Sequence, residues 1–127
     1  MAIMDIIFGD VHYTLNLGEV NGFLGIAGNL SGANAQLMTA MFRKVVDRLQ
    51  GRLFLSLEGL KALDSMAIGL LVQNKKVLDD TNHPVVLVDV PPNIRALLDG
   101  AHISDLFEIV PTLQEAEIKY GRSSGSH

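Results

Sequence analysis

The chain has no cysteine and no tryptophan among its 127 residues, and only two tyrosines and five phenylalanines. Without thiols it can form no disulfide, thiolate metal site or thiol nucleophile, which suits a reducing compartment. With so few aromatics, the core must be built mainly from Leu, Ile, Val, Ala and Met. Blocks of like charge are missing too, since ten basic and fourteen acidic residues are interspersed for a net charge of −4. The basic pairs Arg43-Lys44 and Lys75-Lys76 lie in amphipathic stretches and read as solvated helix faces. Nucleic acid is therefore not an expected partner, because its phosphates need clustered Lys and Arg.

Long apolar runs are also lacking, and none nears the roughly twenty residues of a membrane-spanning helix. The start, Met1-Ala2-Ile3-Met4-Asp5, has neither the basic residues nor the apolar stretch of a secretory signal. A soluble, cytoplasmic protein with no membrane insertion is expected. The histidines at 12, 83, 102 and 127 share no ligand-like spacing, so no metal site is expected. Gly22-x-x-Gly25-x-x-Gly28 has the wrong spacing for a dinucleotide fingerprint, and no phosphate-cradling Gly-x-x-x-x-Gly-Lys occurs. No cofactor is expected.

What is present is a globular composition, 48% hydrophobic and 19% charged, in a length that suits one domain. Val11, Tyr13, Leu15 and Leu17 alternate with polar residues, the period of a half-buried strand. Asn21-Gly22 then predicts a tight hairpin turn, with a return strand over residues 23–28. Upstream, residues 4–8 followed by Gly9-Asp10 read as one more strand and turn. Over residues 35–49, Leu37, Met41, Val45 and Leu49 recur every fourth position beside Met38, Phe42 and Val46, predicting an amphipathic helix.

Residues 52–57 and 85–88 are short apolar runs of the kind buried on both faces of a parallel sheet. Between them a helix is expected over residues 65–80, with Asp64 as its N-cap. Pro91-Pro92 opens a third helix carrying Ile94, Leu97 and Leu98. A last strand over 106–110 and a helix over 112–119 with a Thr112–Glu115 capping box complete the pattern. The expected fold is a single α/β domain with about four helices. Its mixed sheet has a parallel section and an N-terminal antiparallel hairpin. Residues 120–127 read as a flexible tail, and both His83 and His102 as solvated loop residues.

This order of elements, over residues 11–119, resembles the STAS domain of bacterial anti-sigma-factor antagonists and of the cytoplasmic end of sulfate transporters. The most specific stretch is Leu53-Phe54-Leu55-Ser56-Leu57-Glu58-Gly59-Leu60-Lys61-Ala62-Leu63-Asp64-Ser65-Met66-Ala67-Ile68-Gly69-Leu70-Leu71, which is similar to the family's strand, loop, Asp-Ser-x-Gly-x-Gly and apolar helix. Gly28-Asn29-Leu30 resembles its Gly-Glu-Leu-Asp element, and residues 91–107 its Pro, helix and strand ending. Met66 and Ala67 replace a small residue and a glycine of that pattern, and Ser31 stands where many members carry aspartate.

The resemblance implies a non-enzymatic signalling protein that controls transcription by binding an anti-sigma factor that is a serine kinase. Phosphorylation of Ser65 by that kinase would release the complex. Asn29, Ser31, Asp64, Ser65 and Met66 are the expected partner-binding residues. The alternative is a non-switching STAS scaffold subunit of a larger stress-signalling or lipid-transport assembly. Independently of the family, a serine in the first turn of a helix directs its hydroxyl outward. A phosphate there would add about −1.5 to −2 charges at the favourable end of the helix dipole. The cost would fall on a partner docked against it, not on the helix. Ser65 as a hydrolytic nucleophile is not expected, because Leu63-Asp64-Ser65-Met66-Ala67 lacks the glycines of a nucleophile elbow. Residues 1–10 fall outside the resemblance, and their strand would form an edge able to pair two subunits.

Overall fold

The computed structural model describes residues 2–123. Alternating apolar residues build an antiparallel meander of β1 (Ala2–Phe8), β2 (Val11–Leu17) and β3 (Gly22–Leu30). Phe8 faces Val11, which leaves Gly9 and Asp10 as the turn, and only Gly9 has positive φ (58°), as in a type II′ hairpin.

The second turn differs from its expected form. Gly18 N–H donates to Asn21 O at 3.1 Å and Leu17 pairs with Gly22, so the loop is residues 18–21 and Asn21-Gly22 is not its centre. Asn21 is buried instead, and Gly22 opens β3, packed so closely that a Cβ there would lie 3.0–3.1 Å from Leu17 and Leu49.

From β3 the chain enters α1 (Gln36–Arg48), β4 (Leu53–Ser56) and β5 (Leu60–Leu63). It continues through α2 (Ser65–Asp80), β6 (Val85–Val88) and α3 (Pro92–Gly100). It ends with a 3-10 turn at Ser104–Leu106, β7 (Glu108–Val110) and α4 (Leu113–Tyr120). The seven strands form one mixed sheet in the order β1-β2-β3-β4-β6-β7, with every pairing beyond β3 parallel. β5 lies off this path, beside the last residues of β3. The sequence pattern does not predict it, because Leu60 and Leu63 are its only buried residues and show no alternation.

One β3 glycine, Gly28, and its neighbours explain how one strand serves two partners. At Gly28 φ is 99° and a Cβ would fall 1.8 Å from Asp10 O, so only glycine fits. The register shifts between Gly28 and Asn29. Gly28 N–H donates to Gly59 O at 2.9 Å, while Asn29 N–H still reaches Asp10 O at 3.1 Å. β3 is thereby handed from β4 to β5, and its end meets the start of α2.

The central strands β4 and β6 are buried on both faces. Leu53, Leu55, Val85 and Leu87 join the main core, which holds Met38, Met41, Phe42 and Val45 of α1, Leu71 and Leu78 of α2, and Ile94 and Leu98 of α3. Phe54, Val86 and Val88 face the other way, against Ala116 of α4. The capping of α4 is as expected in one direction: the Thr112 hydroxyl accepts from Glu115 N–H at 3.1 Å.

Three expectations change. The last strand is shorter than residues 106–110, since Leu106 belongs to the 3-10 turn. The C-terminal stretch packs as far as it is described. Tyr120 ends α4, and Ser123 is only 2% exposed and bonds through N–H and Oγ to Glu117 Oε2 at 2.9 and 2.8 Å. The rest of the expected tail, residues 124–127, lies outside the described residues. His83 is buried, not solvated, because its Nδ1 donates to Gly51 O at 3.1 Å. His102 is exposed, as expected.

Candidate functional site

The end of β3, the loop that leads into α1, and the first turn of α2 form one corner of the molecule. Asp64 assembles it. Its extended backbone (φ −88°, ψ 170°) ends β5 and starts α2, and its Oδ1 accepts from Ala67 N–H at 2.8 Å, the expected N-cap bond. Both carboxylate oxygens also accept from Gly32 N–H at 3.1 Å, across a gap of thirty-two residues in sequence. Asp64 N–H in turn donates to Leu30 O at 3.2 Å. The side chain expected to touch a partner is therefore also the clamp that ties the β3–α1 loop to α2.

Ser65 follows as the first helical residue and is exposed. No hydrogen bond from its hydroxyl occurs among the described residues, so the hydroxyl is free for another molecule. Met66 is 66% exposed, which removes a core-packing role. It lies over Gly32, where a Cβ would approach Met66 Sδ to 2.1 Å and Met66 Cβ to 2.9 Å. Any larger residue at 32 would displace Met66. Ala67, by contrast, is fully buried beneath the turn, where a small helix former is well placed.

Asn29 and Ser31 flank Leu30 on the same corner, Asn29 exposed and Ser31 half-buried. Their positions are set by Asn34, a residue that sequence reasoning missed. Asn34 Oδ1 accepts from Ser31 N–H at 2.8 Å, and its Nδ2 donates to Asn29 O at 2.9 Å. Beneath it, the buried Tyr13 hydroxyl donates to Asn34 O at 2.9 Å, and burial pushes the Tyr13 pKa up to about 12. This phenol stays a neutral donor at any physiological pH, so the loop rests on a fixed post. Gly32 was missed as well. The only sequence signal for either is Ser31-Gly32-Ala33-Asn34 itself, a run of turn-forming residues just after a strand.

All five expected residues thus meet at one corner, and His83 lies away from it. His83 follows the far end of α2, a sixteen-residue helix whose rise is about 24 Å. It has no geometry for acting as a base on Ser65. No group of three or more His, Asp or Glu side chains that could hold a metal occurs among the described residues, nor any helix long and apolar enough to cross a membrane.

A chain with this mixed sheet and an exposed Asp-Ser start to α2 belongs to the STAS domain family, whose model matches residues 15–116. Three solved structures share the fold. An anti-sigma factor antagonist from Mycobacterium paratuberculosis superposes with a TM-score of 0.73 at 18% identity, covering 92% of this chain and 100% of that one. An anti-sigma-factor antagonist (STAS) domain protein from Planctomyces limnophilus gives 0.65 at 19%, covering 84% and 96%. The Bacillus cell fate determinant SpoIIAA in its phosphorylated form gives 0.62 at 14%, covering 93% and 98%. At such identities the likeness is one of fold. No curated protein matches the chain by sequence.

Proposed function

We propose that this STAS domain is a cytoplasmic anti-sigma-factor antagonist, a binding protein and not an enzyme. Its partner would be an anti-sigma factor with serine kinase activity, and its control point Ser65. The observation that carries this reading is the free, exposed Ser65 hydroxyl at the first position of α2, beside a carboxylate already committed to the backbone. Asn29, Ser31 and Met66 supply the rest of the surface, two polar and one adaptable apolar contact.

Phosphorylation would transfer the γ-phosphoryl group of ATP to Ser65 Oγ and release ADP. The phosphate would sit at the positive end of the α2 dipole, so the fold would tolerate it. A partner that had docked a neutral hydroxyl would meet a dianion next to Asp64, and repulsion and desolvation would expel it.

The test is incubation with a panel of anti-sigma kinases and ATP, read by intact mass and site mapping. The expected result is one phosphoryl group on Ser65, absent from Ser65→Ala, and loss of kinase binding in Ser65→Asp with stability changed by less than about 0.5 kcal/mol. Met66, a large exposed apolar residue next to the serine, favours a second reading in which the corner is a permanent contact of a scaffold subunit. A kinase that binds but leaves Ser65 unmodified, or binding undiminished by Ser65→Asp, would establish that second reading.

A further inference from the structure

The two edges of the sheet are guarded very differently. β7 is three residues long, carries Glu108 and is followed by Pro111, the features with which proteins keep an edge from recruiting another strand. β1 is seven residues, Ala-Ile-Met-Asp-Ile-Ile-Phe, with no proline, no lysine and one charge. That charge, Asp5, is engaged by the Thr14 hydroxyl at 2.9 Å and by His12 Nε2 at 3.0 Å on β2. Among the described residues nothing pairs with the outer side of β1. Its end is also apolar and open: Ile7 is 74% and Phe8 50% exposed. A groove of about 390 Å³ lies beside Phe8, walled by Ala33, Asn34, Gln36 and Leu37.

From this edge we infer that two copies of the chain associate by antiparallel pairing of β1 with β1. A two-fold axis normal to the sheet continues each face of one sheet into the same face of the other. Met4 and Ile6, which pack on the main core, then lie on the core side in both copies, so both strands satisfy the same pattern. Charge selects the register. Centring the axis on Asp5 would set two carboxylates opposite each other, a destabilising cross-strand pair. Centring it on Ile6 sets Ile7 opposite Asp5 of the second copy and Phe8 opposite Met4 of the second copy. That apolar side chain then lies beside the groove at Leu37. Pairing also covers Phe8, which explains an aromatic left half in water at a strand end.

Sedimentation of the full chain over a concentration series tests this. Wild type is expected to form a reversible dimer. In the Ile6-centred register Ile7→Lys meets Asp5 of the second copy twice and tightens the dimer about fivefold, while Ile7→Asp weakens it by a similar factor. Ile7 is exposed, so neither change should unfold the monomer, which thermal denaturation verifies. Gln73→Lys, the same charge change on the exposed face of α2, should leave the dissociation constant unaltered. A monomer up to millimolar concentration overturns the inference. So do shifts in the same direction for both Ile7 variants, or a Gln73→Lys effect equal to that of Ile7→Lys.

Discussion

Opposite ends of β3 are each held by one polar side chain that serves backbone groups from separate segments, yet one end is sealed and the other presents a surface. At the sealed end Asn21 Oδ1 accepts from Arg52 N–H at 2.9 Å, and its Nδ2 donates to Tyr120 O at 3.0 Å, with Gly121 O at 3.3 Å. The Arg52 guanidinium lies 3.8 Å from the centroid of the Tyr120 ring, closing the same junction. At the open end Asp64 serves Ala67 and Gly32, but the residues that follow it, Ser65 and Met66, point away from the core. Both ends are cross-linked through backbone groups. What differs is the residue that follows: the buried Gly22 after Asn21, the exposed Ser65 with its free hydroxyl after Asp64. A rigid, satisfied backbone presenting an unsatisfied hydroxyl is what a modification site on a folded domain requires.

The contrast can be broken from either end. Asn21→Ala removes partners from a part-buried N–H and a part-buried C=O, each worth about 1–3 kcal/mol when left unsatisfied. A loss of about 3 kcal/mol is expected, a fall in Tm of ~10 °C for a domain of this size, with the proposed Ser65 phosphorylation unchanged in whatever fraction remains folded. Calorimetry beside a kinase assay checks both halves. Asp64→Ala should cost less, about 1–2 kcal/mol by urea denaturation, because its bonds are nearer solvent. Asp64→Asn, an equally good cap, should recover most of that. If Asp64 served only as a partner contact, the alanine variant would bind less well at full stability.

The sequence made the open end legible and misled about the sealed one, for one physical reason. Capping is local: an aspartate before an apolar helix accepts from a donor three residues on, and Asp64, Ser65 and the start of α2 follow from that spacing. The Asn21 bonds span 31 residues to Arg52 and 99 to Tyr120. Locally, Asn-Gly reads only as a turn. The buried runs at 85–88 and the alternation at 11–17 were legible because burial imposes a period on them. β5 and Gly32 were not, because each is fixed by a neighbour far along the chain and leaves no period behind. Asn34 bonds locally, to Asn29 and Ser31, but a loop side chain leaves no period either.

The smallest expected effect lies at the sealed end, where a titrating group joins it. Tyr120 OH donates to both oxygens of Glu108 at 2.6 Å, and Lys119 Nζ reaches Oε2 at 2.9 Å. The Tyr120 hydrogen bond, ahead of Lys119, holds the Glu108 carboxyl below the usual carboxylate value of 4.5. A carboxylate with a lowered folded pKa contributes stability that is fully present above its unfolded pKa and is lost as pH falls through the folded value. Tyr120→Phe deletes the leading cause while keeping the ring under Arg52. Its stability deficit against wild type should therefore be largest near neutral pH and shrink below about pH 4 as Glu108 is protonated in both proteins. The pair is partly exposed, so the deficit at pH 7 should stay under about 1 kcal/mol. Because Asp5 and Asp99 are also held low, by Thr14 and Ser104 respectively, the acid limb of wild type alone mixes several groups. The difference between the two proteins, followed by urea denaturation from pH 7 to pH 3, isolates Glu108. A deficit that stayed constant with pH would mean that Tyr120 holds the sealed end by packing alone.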